Sequence, residues 1–168
     1  DVRQAEAQLL RDAGDNTAAF TVLTQALVEH PDDPELLYDV AMVAEKLDRL
    51  DVLEERLRRL IELRPSNAQA LNALGYTLVD RTPRTSEGLA LIEKAHKLAP
   101  GDPFILDSMG WAFYRLGKLD DAEAYLAASV DTTGWGAMGR QGMTFERLAP
   151  TMVDGAKVAE GRIPQTIR

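Results

Sequence analysis

The sequence predicts an all-α protein assembled from about four antiparallel helix pairs. Three observations lead there: a helix-leaning composition, prolines recurring at a fixed interval, and apolar residues spaced as one helix face. Of 168 residues, 45% are hydrophobic but only 6% aromatic. Ala and Leu are abundant, while strand-favouring Ile, Val and Thr are comparatively few, a balance that favours helix over sheet. Pro31, Pro65 and Pro100 stand 34 and 35 residues apart. Each follows an apolar-periodic stretch and opens a matching phrase, "HPDDPELL" (30–37), "RPSNAQAL" (64–71) or "APGDPFIL" (99–106). A proline cannot continue the helix before it, and the Asp or Asn after it is a good N-cap for the next.

The interiors align on the same period. Leu37, Leu71 and Leu106 share a slot, as do Val40, Leu74 and Met109, then Ala41, Gly75 and Gly110, then Ala44, Leu78 and Phe113. In the second half of each unit Leu53, Gly88 and Ala122 align, followed by Leu57, Ile92 and Leu126, then Leu60, Ala95 and Ser129. Offsets of three, four and seven are the apolar stripe of an amphipathic helix. The spacing predicts helices over 34–47 and 50–63, 67–79 and 87–98, and 103–116 and 119–129. The units run about 1–33, 34–67, 68–102 and 103–130. In the third, "DRTPRTS" (80–86) reads as a surface loop that absorbs one extra residue. The first keeps Ala7, Leu10, Gly14, Ala19, Leu23 and Ala26, but Arg3 and Glu6 fall in apolar slots. Its first helix is therefore expected to fray or to lack a neighbour upstream.

The pattern resembles the tetratricopeptide repeat, a helix–turn–helix unit of 34 residues. "DPFILDSMGWAFYRLGKLDDAEAYLAAS" (102–129) carries it most fully, with the family's small residue at Gly110, aromatic at Phe113, turn glycine at Gly117 and close-packing Ala122. "NALGYTLVDRTPRTSEGLALIEKAHKLAP" (72–100) matches too, and the resemblance covers about 1–130. It implies a right-handed superhelical solenoid whose concave wall is built from the first helix of each pair and binds partners. It places Tyr38, Met42 and Glu45, then Asn72 and Tyr76, then Asp107, Trp111, Tyr114 and Arg115 on that wall. Tyr and Trp there are candidate anchors. The alternative for Tyr76 and Trp111, beside Gly75 and Gly110, is packing between helices. A carboxylate clamp of Lys, Arg and Asn is not matched, since Asn72 is the only donor of that kind. An aromatic, mildly acidic wall suits an apolar or basic segment.

The function expected is thus a non-catalytic scaffold for a protein or peptide. The alternative is a spacer or self-assembling piece of a longer solenoid, which would make a homo-oligomer. The net charge of −8 is uneven: residues 1–130 carry 23 acidic and 14 basic side chains, while 131–168 carry 4 and 5. Nucleic acid is bound through clustered Lys and Arg, so the acidic body argues against it, and against an RNA-reading pentatricopeptide array. With no cysteine, disulfides and thiolate metal sites are excluded. No apolar run approaches the roughly 20 residues of a membrane span. The chain starts at Asp1 without methionine and is expected to be a fragment or processed product. Phrases such as "NALGYTL" and "ILDSMGWAFYRLG" resemble exported bacterial tetratricopeptide proteins, which implies a periplasmic or outer-membrane-associated setting, with the cytoplasm left open.

No cofactor, metal or catalytic residue is expected. "GWGAMG" (134–139) satisfies G-x-G-x-x-G with Asp154 downstream, but follows a helix where a dinucleotide site needs a strand. Ser108 in "LDSMG" lacks the second glycine of a nucleophile elbow. His30 and His96 belong to no ligand motif, and Glu54–Glu55 and Asp120–Asp121 splay as solvated pairs. Residues 131–168 break the period and hold half of the twelve glycines. They read as a Gly-rich linker, then a short helix around Met152, Val153, Ala156 and Ala159 that either caps the last pair or forms a free arm.

Overall fold

The structure, a computed structural model, describes residues 2–133, with side chains described as far as Ser129. The linker and capping helix expected over 131–168 therefore lie almost wholly outside the described residues, as do "GWGAMG" and Asp154. Among the described residues there are eight α-helices and no strand: α1 (Val2–Asp12), α2 (Asn16–Glu29), α3 (Pro34–Lys46), α4 (Leu50–Leu63), α5 (Ala68–Arg81), α6 (Thr85–Leu98), α7 (Pro103–Arg115) and α8 (Leu119–Thr133). They fall into two compact units, one through Leu74 and one from Gly75 onward.

The junctions between pairs are three copies of one turn. The amide of Asp33 donates to the carbonyl of His30 at 3.1 Å, Asn67 to Arg64 at 3.0 Å and Asp102 to Ala99 at 3.1 Å. Pro31, Pro65 and Pro100 take the second position of these turns, where a fixed φ costs nothing. The preceding residue is pushed into extended backbone by the proline ring; His30, Arg64 and Ala99 have φ of −131°, −136° and −141°. The fourth residue caps the next helix. The Asp33 side chain accepts from Glu35 and Leu36 amides at 2.9 and 3.0 Å, and Asp102 from Phe104 and Ile105 at 2.8 and 3.2 Å. Asn67 accepts from Ala70 at 3.0 Å. Pro34 and Pro103 open their helices, where a missing N–H is harmless.

Within the first unit, α1 packs on α2, α2 on α3, and α3 on α4. Its core is aliphatic, with Leu23, Leu37, Leu53, Leu57 and Leu60 all fully buried. The turns inside the pairs need one left-handed residue, supplied by Gly14 (φ +81°) and by Asp48 (φ +59°). α1 is a complete helix despite its two charged slots. Arg3 reaches Glu29 of α2 at 2.7 Å, so the guanidinium lies along the pair instead of entering it.

In the second unit the pairs are held closer. A Cβ placed on Gly75 would lie 2.7 Å from the carbonyl oxygen of Gly88, and one on Gly88 would lie 2.5 Å from that of Gly75. α5 and α6 thus meet backbone to backbone. At Gly110 an added Cβ would lie 2.5 Å from Cγ of Leu126, so α7 and α8 close on a leucine. The α5–α6 turn differs from the sequence expectation: the helices extend to Arg81 and from Thr85, leaving only Thr82–Arg84 between them. The Thr82 hydroxyl donates back to the carbonyl of Leu78 at 2.6 Å and accepts from the Arg84 amide at 3.1 Å. Arg84 grips Glu87 with two 2.9 Å bonds. These bonds draw residues 80–86 into the helix ends.

Candidate functional site

At 100° per residue, each first helix has three distinct sides. One carries the stripe that meets its own partner, such as Leu106, Met109 and Gly110 in α7. A second carries Ile105 and Ala112, both buried. The third carries the candidate wall residues: Tyr38 and Met42 in α3, Asn72 and Tyr76 in α5, and Asp107, Trp111, Tyr114 and Arg115 in α7.

In the second unit this third side is tightly organised. Trp111 is only 7% exposed, and its indole N–H donates to the Asp80 carboxylate at 3.1 Å. Arg115 donates to the backbone carbonyl of Asp80 at 3.1 Å, with its guanidinium 5.8 Å from the Trp111 ring. Tyr114 stacks on Trp111 at 5.3 Å and 19°. Of the two readings of Trp111, the geometry gives it a packed position with its polar atom satisfied. Tyr114 and Tyr76 remain half-buried and Arg115 is exposed. Asp80, absent from the sequence-based set, is the residue that ties the cluster together. It shares a slot with Arg115, one period earlier, and that register was the available signal.

Asp107, one turn before Trp111, is fully buried, and neither carboxylate oxygen has a hydrogen-bond partner. Burial with nothing to offset it raises its pKa from the usual carboxylate range to about 7. Buried carboxylates are nearly always paired, so this one is costly at neutral pH.

In the first unit, Tyr38 and Met42 are half-buried. Burial raises the Tyr38 phenol above its ordinary value, with Glu45 and Asp39 adding to the shift. Asn72 is buried, 7% exposed, and its side-chain oxygen has no hydrogen-bond partner. A separate apolar hollow of about 280 Å³ lies over α2, between Phe20, Thr24 and Arg49. There the Arg49 guanidinium sits 4.7 Å from the Phe20 ring centroid.

The remaining candidates resolve into structure. Ser108 is buried mid-helix and donates to the carbonyl of Phe104 at 2.9 Å. His30 ends α2, and His96 meets the edge of Tyr125 at 5.7 Å. Among the described residues no group of three or more His, Asp or Glu could hold a metal ion, and no helix is long and apolar enough to cross a membrane.

Antiparallel helix pairs joined by one recurring turn at a period of 34 or 35 residues define a class: the helical repeat proteins. Within it, the tetratricopeptide repeat family model matches residues 5–52 and 54–103, and the chain belongs to that family. It is 50% identical over 125 residues to the TPR repeat-containing protein PA4667 of Pseudomonas aeruginosa, a match covering 74% of this chain and 21% of that protein. It is 31% identical over 75 residues to Bacteriophage adsorption protein A of Escherichia coli K12, covering 45% of this chain and 8% of that one. The chain thus spans about a fifth or less of these relatives' length. Among solved structures, PilW, a widely conserved type IV pilus biogenesis factor, superposes with a TM-score of 0.77 at 23% identity, over 92% of this chain and 69% of that one. MamA from Desulfovibrio magneticus RS-1 (residue 41 to its end) gives 0.70 at 16% identity, over 97% and 96%. These two likenesses are of fold.

Proposed function

We propose that the chain is a non-catalytic scaffold that holds an apolar or basic segment of another protein on the third sides of its first helices. The fold supports the coarser statement directly: tetratricopeptide arrays are interaction scaffolds and generally non-catalytic. What carries the finer reading is a contrast of open surface within each unit. On the first helices, the part-open wall positions hold Tyr38, Met42, Tyr76 and Tyr114, uncharged side chains, with Glu45 beside them. On the second helices, the exposed positions are mostly charged, Glu55, Arg59 and Glu62 in α4 and Glu93, Lys94 and Lys97 in α6, with Leu63 and Leu98 open at the helix ends. Amphipathic residues that keep a polar handle are the ones enriched where proteins meet, and a chain of net charge −8 favours a cationic segment over an anionic one.

A random peptide library displayed on phage and selected against the chain tests this. Recovered peptides should be apolar or basic. A Tyr38→Ala, Tyr114→Ala double variant should bind them about tenfold more weakly or worse, with far-UV circular dichroism unchanged. Peptides that bind the variant equally well, or a selection that enriches none, would overturn the assignment.

A further inference from the structure

Among the described residues Asp107 is the only carboxylate that is fully buried, and neither of its oxygens has a hydrogen-bond partner. It lies on the third side of α7, one turn before Trp111. The same slot holds Gln4, Tyr38 and Asn72 in the earlier first helices, so a carboxylate enters it only in α7. The positions flanking it along that side are open in part: Phe104 and Tyr114 are half-buried and Arg115 is exposed. Packing alone does not call for an acid there. Asparagine or leucine would fill a similar volume without the cost of desolvating a charge.

The described chain brings no cation to this carboxylate. Arg115, the positive charge on the same side, donates to the Asp80 carbonyl at 3.1 Å and lies 5.8 Å from the Trp111 ring. On α5, Asp80 accepts the Trp111 indole proton, Tyr76 is half-buried and Arg81 is exposed. On α6, Glu87 is held by Arg84, Glu93, Lys94 and Lys97 are exposed, and His96 meets Tyr125 of α8. Asp120, Asp121 and Glu123 of α8 are exposed, and Lys118 before it sits over the Phe113 ring at 5.7 Å. Burial is accordingly the one cause that lifts the Asp107 pKa to about 7.

The geometry points to Asp107 as the charge-selecting residue of the wall, where its carboxylate accepts a cationic side chain of the bound segment. This rests on the wall reading above and narrows it, favouring segments that place an arginine or lysine over α7. Two free oxygens suit arginine best, since its fork bonds a carboxylate through two parallel N–H groups. Access needs a side-chain rotamer change on this side of α7, an adjustment common when proteins bind. A segment without the cation leaves the buried charge unpaired, and that cost separates right from wrong partners. Binding is also linked to a proton. The free carboxyl titrates at about pH 7, whereas beside a cation it stays ionised to lower pH. Affinity therefore climbs as the pH rises towards that value and levels off above it.

Phage selections run in parallel at pH 8 and pH 5, from a random peptide library lacking His, Asp and Glu, provide the test. The pool from pH 8 should carry an arginine or lysine that the pool from pH 5 lacks. A synthetic peptide from the first pool should bind at least about tenfold more weakly at pH 5 than at pH 8. Titration calorimetry in buffers of different ionisation enthalpy should show about one proton released per peptide at pH 6. Both effects should vanish with Asp107→Asn. They should vanish equally when citrulline or norleucine replaces the basic residue of the peptide, a change that leaves the chain untouched. A peptide that loses binding in the Tyr38→Ala, Tyr114→Ala variant, yet has no pH dependence or keeps it with Asp107→Asn, would overturn this inference and leave the wall reading standing. Peptides indifferent to the tyrosine variant, or a selection that enriches none, would remove both.

Discussion

The third sides of α3 and α7 share a register and differ in fate. Tyr38 and Asp107 stand two periods apart in one slot, as do Met42 and Trp111. On α3 both side chains stay half-buried; on α7 Asp107 is fully buried and Trp111 nearly so. The difference lies in what arrives from elsewhere in the fold. Asp80 accepts the Trp111 indole proton and supplies a carbonyl to Arg115, which pins the aromatic in place. A period assigns a residue to a side of its helix, but whether that side is open depends on residues about thirty positions away.

The largest expected consequence is the pH dependence that Asp107 imposes. Its folded pKa of about 7 lies above the ordinary 3.8, so the folded state holds the proton more tightly than the unfolded one. Its contribution is therefore fully present below about pH 4, declines between pH 4 and 7, and is lost above that. At ~1.36 kcal/mol per unit, the swing is about 4 kcal/mol. Asp107→Asn removes the titration. In urea unfolding, the stability difference between variant and wild type should grow in the variant's favour by that order from pH 4 to pH 8. A pH-independent difference at Asp107 would mean that the carboxyl has a partner.

How far the sequence could be read follows from which forces are local. Proline and Asp or Asn decide helix ends within four residues of themselves, and α3 and α7 begin at the residues expected. The α5–α6 turn is shorter than its residues suggest, because Pro83 and Thr85 have loop character whereas Thr82 and Arg84 close the gap through side-chain bonds that no periodicity encodes. The wall was legible as register, since Tyr38, Asn72 and Asp107 align by counting. Asp107's isolation was not, because being unpaired is a property of every neighbour at once.

A smaller effect separates the two helices at their aromatic and thioether positions. Trp111→Phe keeps most of the ring and deletes the N–H, leaving the Asp80 carboxylate short of a donor. Hydrogen bonds to charged groups contribute about 1.5–3 kcal/mol, and the half-buried setting of Asp80 argues for the lower end. The loss should shrink by that amount in an Asp80→Ala background, leaving the share of the smaller ring, a double-mutant cycle that isolates the bond. Met42→Leu, which conserves volume at the matching position of α3, should cost under about 1 kcal/mol. If Trp111→Phe is equally mild, the packed state of α7's third side rests on ring area alone, and the contrast with α3 is one of size.

The smallest effect concerns the turns that set these helices on their partners. α7 ends at a left-handed glycine, Gly117, with φ +74°, while α3 ends with Asp48 at φ +59°. In both, the next amide reaches back over the turn: Arg49 to the carbonyl of Ala44 at 2.8 Å, Lys118 to that of Phe113 at 2.9 Å. The backbone is the same, but a Cβ in that region is strained where glycine is not, with Asp tolerating it better than most. Asp48→Gly should therefore stabilise the first unit by about 0.5 kcal/mol, the steric relief being partly offset by the freer unfolded chain. A shift of that sign in the urea midpoint, at constant slope, would show that α3 and α7 are held by one turn geometry despite their different residues. A loss instead would show that the Asp48 side chain contributes more than its backbone costs, and the two turns would then differ in what holds them as the two walls do.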